Sequence, residues 1–440
     1  MRNDRRELWL DAVIVFAVAL AANLIYHSCT RGDFLFPDSF SYLVPARNLL
    51  AGRGFVNARG AAETIRTPGY PLMLAALGAR VPPMILLQHC LNAAIAVGTL
   101  VGARRIGASR LAALAAGLIV ALDTPTIHYA GRILSETFFT SVLLGVFLAL
   151  LAVTDGNRQS WSDPSTRTAP ARMRLLVAAA MGTGALVLIR PVAIAACLVF
   201  AIWLSLCRIP LRWMLLFVLT ALLIPAGWAL RNQRRTGVFT VSSIGGTNLL
   251  VFRAAGALAM ENSSGDFHFD LLLEQKLLLE EAESEIEEEL HIPDAEELPH
   301  AVLSRHFSRI AIRTIAEHPR GFALLTLRGL AINLFDSRSE AMQMVSRLPR
   351  PLVRTALRFW TATMALLAAT GLWLLWKTQR RREAVLLAMT IGYFLLISAG
   401  GESEARFRVP VIPQEAIAAG AGIEALILLA RRPTRPSTVS

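Results

Sequence analysis

The chain has 440 residues, of which 54% are apolar and only 17% charged, with a formal net charge of +12 and a mean hydropathy of +0.50. A soluble domain of this length needs more polar surface to cover its core, so the composition excludes a soluble globular enzyme and points to a membrane protein. The basic residues punctuate apolar runs instead of gathering in one stretch, which is the pattern of topology signals and argues against a nucleic-acid partner.

A spanning helix takes about 20 mostly apolar residues. Hydropathy places ten such runs, at 8–28, 84–102, 110–128, 134–153, 174–189, 192–207, 212–230, 356–376, 384–399 and 411–430. The first follows the basic stretch MRNDRRELWL and is long for a signal h-region, so it reads as an uncleaved span. Between the first two runs lies 29–83, with Pro37, Pro45, Pro68 and Pro71. Its stretch DSFSYLVPARNLLAGRG carries apolar residues at near-helical spacing and closes on glycines, so we expect a short amphipathic helix along the membrane surface. Residues 231–355 form the largest polar piece. There, EQKLLLEEAESEIEEEL at 274–290 reads as a solvated acidic helix with a leucine and isoleucine stripe. PRGFALLTLRGLAINLF at 319–335 reads as a second interfacial helix or a weakly hydrophobic span.

The basic clusters test the count. Arg2/Arg5/Arg6, Arg104/Arg105, Arg172/Arg174, Arg208/Arg212, Arg380/Arg381/Arg382 and Arg431/Arg432 all fall on one side if ten spans are right. By the positive-inside rule that side is cytoplasmic, with both termini there, in the plasma or inner membrane. The expected organisation is a transmembrane module at 1–230, an extracytoplasmic helical segment at 231–355 and three closing spans at 356–440. No internal repeat is evident, which weighs against transporters built from inverted repeats. Cys29, Cys90, Cys197 and Cys207 have no CxxC or metal-type spacing, so neither a disulfide framework nor a thiolate metal site is indicated.

Polar residues beside a bilayer are costly and tend to face a cavity or one another. Asp38, in PDSFSY, is an isolated carboxylate on the outer side, four residues from Tyr42 and so on the same helical face. It reads equally as an N-cap and as a catalytic acid–base group, and the two do not exclude each other. RTPGYP at 66–71 carries helix-start signals in its prolines and glycine, which leave Arg66 unexplained; its guanidinium suits a phosphate. Glu136, in LSETFF, stands at an outer helix start, where the macrodipole favours a carboxylate in any case. His128 and Tyr129 share that turn and read as structural. Arg190, Arg231, Asn232, Glu402, Glu404, Arg406 and Arg408 also fall outside. Arginines on that side oppose the usual charge bias and ask for an anionic partner.

The order PDSFSYLVPARNLLAGRGF, RTPGYPL, LSETFF, LIRP, WALRNQRRTG and RFRVPVIP resembles the GT-C superfamily of membrane glycosyltransferases, in the protein O-mannosyltransferase and aminoarabinose-transferase (ArnT-like) clan. The resemblance covers most of 1–250 and 400–430. It implies an all-α polytopic bundle of about ten transmembrane helices with outer interfacial helices and a small extracytoplasmic insert. It also implies transfer of a sugar from a polyprenyl-phosphate donor to an extracytoplasmic protein, lipid or glycan acceptor. On this reading Asp38 and Glu136 are the catalytic carboxylates. Tyr42, Arg66, Tyr70, Arg190, Arg231, Asn232 and Arg406 contact substrate. A divalent metal remains an option, although Asp33 and Asp38 are spaced five apart rather than as a tight pair. The competing class is a transporter or flippase of a lipid-linked saccharide, which needs polar residues near the midplane and access from both sides.

Overall fold

A segment crossing a bilayer must satisfy its backbone polar groups internally, so apolar runs of this length fold as helices. The computed structural model describes residues 2–30, 34–154, 169–336 and 348–430. Over these the chain is mainly helical, with one isolated bridge between Val56 and Ala62. It starts with α1 (Arg2–Cys29), passes two short helices, α2 (Ser39–Leu50) and α3 (Gly69–Ala76), and enters α4 (Val81–Arg105). α5 (Arg110–Ala121) and α6 (Thr124–Ala130) form a pair bent by 48°. Then come α7 (Glu136–Thr154), α8 (Ala169–Ile189), α9 (Ala196–Leu206) and α10 (Leu211–Thr236). The middle of the chain holds α11 (Ile244–Asn248), a π-helix at Leu249–Ala254, α12 (Ala255–Glu261), α13 (Phe267–Leu290), α14 (His300–Glu317) and α15 (Pro319–Phe335). α16 (Arg350–Lys377), α17 (Arg381–Ile397) and α18 (Ile412–Ala430) close the fold.

Among the described residues seven helices are long and apolar enough to cross a bilayer, and eight if the bent pair is one span. The protein is an all-α, multi-pass membrane protein. Helices stand at all ten expected positions, but two are short. α9 has 11 residues and α17 has 17, or about 16 Å and 26 Å of helix against a hydrocarbon core of about 30 Å. The α5–α6 bend has a local cause. Asp123 caps α6 by accepting from the Thr126 amide at 3.1 Å, and Pro125 suits the first turn of a new helix.

The two ends of the bundle differ in charge. Arg380 donates to the Arg105 carbonyl at 3.0 Å, and Arg110 grips Asp11 with two bonds of 2.9 Å, so basic clusters from α1, α4, α5 and α17 gather at one end. Gln88 of α4 lies about 25 Å away along that helix and bonds to Tyr70 and to the carbonyls of Ala130 and Arg132. The first loop folds over this second end. α2 buries Tyr42, Leu43 and Ala46 and exposes Phe40 and Leu50, as an amphipathic surface helix should.

Residues 244–317 build a second core around Leu250, Leu278, Ile286, Phe307 and Ile310. The stripe of α13 enters it, while Glu285 and Glu289 on the acidic face pair with Arg313 and Arg309 of α14. α10 runs on to Thr236, where Gly237 ends it at φ 78°, so the boundary expected at 230 falls inside a helix. The basic pair Arg431/Arg432 and Asp33 lie outside the described residues.

Gly69 opens α3 where it passes the end of α8. A Cβ there would lie 2.7 Å from the Leu188 carbonyl oxygen and 2.9 Å from the Ile189 side chain. Gly69→Ala should therefore cost about 1–3 kcal/mol, read as a lower thermal unfolding midpoint in detergent. An unchanged midpoint would mean the two helices separate freely here.

Candidate active site

Three backbone devices bring distant residues together at the end of the bundle away from the basic clusters. The first is a short pairing of 34–39 with 133. Ile133 N–H donates to the Phe34 carbonyl at 2.9 Å, and Ser39 Oγ donates to the Ile133 carbonyl at 2.9 Å. This sets Asp38 beside Glu136 at the start of α7. The second is Arg190-Pro191: a residue before proline is held extended, and Arg190 has φ −143° and ψ 121° as the chain leaves α8. The third is the turn after α17, which ends in the 3₁₀ segment Ala405–Phe407 and presents Arg406.

The charged groups interlock. Arg66 Nη2 donates to Asp38 Oδ1 at 2.8 Å, and Arg406 Nη1 donates to Asp38 Oδ2 at 2.7 Å. Arg190 Nη1 donates to Glu136 Oε1 at 2.5 Å, and Arg406 Nε donates to the same oxygen. Arg66 is aimed by its other edge: Nε donates to Ser41 Oγ at 2.8 Å, Nη1 donates to the Tyr42 hydroxyl at 3.3 Å, and the guanidinium lies 4.7 Å from the Tyr42 ring centre. Three guanidiniums face two carboxylates, a formal surplus of one positive charge.

The two carboxylates differ in access. The Asp38 side chain is 32% exposed and that of Glu136 is 0% exposed. Burial pushes the Asp38 carboxyl upward, but the guanidiniums of Arg406 and Arg66 outweigh it and hold the group below its ordinary range. Asp38 occupies the position before α2, yet its side chain makes no capping bond. Ser39 Oγ accepts from the Phe36 amide instead, at 2.8 Å. The capping alternative is thereby set aside: both Asp38 oxygens go to arginines.

Six of the expected residues meet here: Asp38, Tyr42, Arg66, Glu136, Arg190 and Arg406. Tyr70 stands one contact back, edge-on to Tyr42 at 5.1 Å and donating to Gln88 Oε1 at 2.6 Å. Arg231 and Asn232, expected as substrate contacts, are engaged by backbone. Arg231 donates to the carbonyls of Phe55 at 2.7 Å and Glu63 at 2.9 Å, and Asn232 Nδ2 to that of Thr240 at 2.8 Å. Arg408 points the other way from Arg406 and pairs with Glu415 at 2.7 Å. His128 bonds to the Tyr26 hydroxyl at 2.6 Å. Sequence reasoning missed Ser41, though it lies one helical turn from Asp38, and Arg253, which pairs with Glu402 at 3.0 Å without any local motif.

The carboxylates do not fit a divalent cation as arranged. Three of their four oxygens accept from guanidiniums, and among the described residues no group of three or more His, Cys, Asp or Glu stands close enough to hold a metal ion.

The chain matches no protein-family model and no curated protein sequence. It is similar to solved structures. The oligosaccharyltransferase of Archaeoglobus fulgidus, tethered to an acceptor peptide, superposes with a TM-score of 0.52 at 10% identity, over 94% of this chain and 50% of that one. The oligosaccharyltransferase AglB of that organism, solved with an inhibitory peptide and a dolichol-phosphate, gives 0.52 at 11% identity, over 98% and 53%. The likeness shows that this chain shares the polytopic membrane fold of those archaeal oligosaccharyltransferases. This chain spans about half the length of those archaeal enzymes. ArnT from Cupriavidus metallidurans, bound to undecaprenyl phosphate, also matches, with a TM-score of 0.39 at 14% identity over 96% of this chain and 78% of that one.

The ion pairs of this cluster set a pH dependence. An aspartate whose folded value is depressed contributes stability above its unfolded value and loses it as pH falls through the folded one. Wild type should thus lose thermal stability faster than Asp38→Asn as pH drops below the usual aspartate value of about 4. Parallel melting curves against pH for the two proteins would show that Asp38 is not ion-paired.

Proposed function

We propose that the protein is an integral-membrane glycosyltransferase that moves a sugar from a polyprenyl-phosphate donor to an acceptor hydroxyl or amine. The observation that carries this reading is the partly open carboxylate of Asp38 held between Arg66 and Arg406. A surplus positive charge suits a donor phosphodiester, which carries one negative charge. The dolichol-phosphate in the archaeal neighbour of the same fold supports a lipid phosphate as the bound group.

The chemistry follows from the geometry. The acceptor oxygen or nitrogen attacks the anomeric carbon, its proton passes to an Asp38 oxygen, and the bond from that carbon to the phosphate oxygen breaks. Polyprenyl phosphate leaves with a second negative charge. Arg66, Arg406 and Arg190 are already oriented and meet that charge where it grows, in the transition state. One direct displacement inverts the anomeric centre, as in inverting glycoside hydrolysis. Glu136, with no exposure, is assigned a holding role: it anchors Arg190 and Arg406 rather than touching the acceptor. The site lies opposite the basic end of the bundle, so the positive-inside rule puts transfer on the extracytoplasmic face of the plasma or inner membrane, with the N-terminus cytoplasmic.

Purified protein given a pool of undecaprenyl-phosphate sugars and mixed acceptors should release undecaprenyl phosphate. Asp38→Asn should lower that release about 10²- to 10⁴-fold while the protein still accumulates in the membrane. Glu136→Gln should impair donor binding more than turnover. Full activity in Asp38→Asn would remove the base assignment. Movement of intact lipid-linked sugar across vesicles, with no transfer, would make the protein a flippase.

A further inference from the structure

Segment 231–336 has no role in the site as described, yet it grips the two loops that deliver Arg66 and Arg406 to it. On the first loop, Arg231 holds the carbonyls of Phe55 and Glu63, Ser243 N–H donates to the Thr64 carbonyl at 2.8 Å, and Ser242 Oγ donates to the Ile65 carbonyl at 2.6 Å. Arg66 is the next residue. On the last turn, Arg253 Nη2 donates to the Ile397 carbonyl at 2.9 Å and to Glu402 Oε1 at 3.0 Å, and Asp336 Oδ2 accepts from the Ala405 N–H at 3.0 Å. Arg406 is again the next residue.

The fit around this turn is close. A Cβ on Gly400 would lie 2.5 Å from the Arg253 guanidinium, one on Gly401 would lie 2.8 Å from the Phe252 carbonyl oxygen, and one on Gly329 of α15 would lie 2.5 Å from the Gly400 nitrogen. Two consecutive glycines give this turn little stiffness of its own, so its shape depends on what holds it from outside. Arg253 stands in the π-helix at Leu249–Ala254, a backbone form that recurs at functional positions. The Arg253 and Glu402 side chains are largely shielded, at 12% and 17% exposure, so their pairing is screened far less than a surface ion pair.

We propose that Arg253 is a positioning residue for phosphate recognition: acting from the segment between α10 and α16, it locks the turn that aims Arg406. This rests on the reading of Arg406 and Arg66 as phosphate ligands, and it gives segment 231–336 a part in the site. A guanidinium displaced by even 1 Å loses much of its contribution to a bound anion. Loosening the turn should therefore weaken recognition of the phosphate and leave recognition of the lipid tail untouched.

The test is the ratio of affinities of the full-length protein for undecaprenyl phosphate and for undecaprenol, with the melting temperature followed alongside. Wild type should prefer the phosphate. Arg253→Gln should reduce that preference about three- to tenfold, with unchanged undecaprenol affinity and melting temperature. Arg253→Lys should restore part of it, and Glu402→Gln should reproduce the loss if the glutamine variant at 253 fails to accumulate. Arg406→Gln should lower the preference at least as far, to what Arg66 and Arg190 alone support, and adding Arg253→Gln to it should cost nothing more, because the one acts through the other. A preference kept in both Arg253→Gln and Glu402→Gln overturns the positioning role alone, as does a loss shared by both lipids. No preference in wild type overturns the phosphate reading, and the positioning role with it.

Discussion

Arg406 is the one cation that touches both carboxylates of the cluster, with Nη1 on Asp38 and Nε on Glu136. Removing a guanidinium from water carries a penalty of several kcal/mol, and only close, well-directed opposite charge offsets it. Glu136, without exposure, has the same difficulty and the same solution. The planar fork of arginine reaches two carboxylates from two edges, which an ammonium does not do with comparable direction. Asp38 belongs to the first loop, Glu136 to the start of α7 and Arg406 to the turn before α18, 368 positions from Asp38. One buried balance of charge thus fixes three remote pieces of chain against one another.

The remaining features of the site follow from that constraint. Arg66 and Arg190 add opposite charge to the two carboxylates, and each is aimed by a local device, Ser41 and Tyr42 for the first and Pro191 for the second. The carboxylates then separate by access. Asp38 keeps an open side, whereas Glu136 lies wholly inside and serves its arginines. Two residues beyond Arg406, Arg408 repeats the theme inward with Glu415. A single RFR sequence therefore anchors the turn in the bundle with one arginine and completes the Asp38–Glu136 cluster with the other. The helical segment between α10 and α16 braces the two loops involved.

The fold was legible in large part because apolar length and basic punctuation are local properties. Helices occupy every stretch that hydropathy marked. The shortness of α9 was harder to see, since the run 192–207 is apolar throughout and only Arg190-Pro191 hints that its first residues turn rather than span. The break in α5–α6 was equally hidden, because Asp123 and Pro125 interrupt the backbone while the run around them stays apolar enough to read as one span. At the site, Asp38, Arg66, Glu136 and Arg406 stood out as charges at a boundary where charge is expensive. Arg231 stood out for the same reason and has a different task. Nothing local separates a guanidinium that meets a carboxylate from one that meets a loop carbonyl. Arg253, in a segment with no motif at all, carried no signal.

The amino-acid sequence alone determined the class of the protein, where its apolar helices lie and which residues carry charge beside them. Those depend on transfer free energies summed over about 20 residues at a time, which any window of sequence contains. Tertiary structure decided the pairing: that Asp38 is clamped by two arginines rather than capping α2, that Glu136 is buried, and that Arg406 binds both. Ion pairing depends on distances of about 3 Å between groups hundreds of residues apart, and only the folded chain sets them.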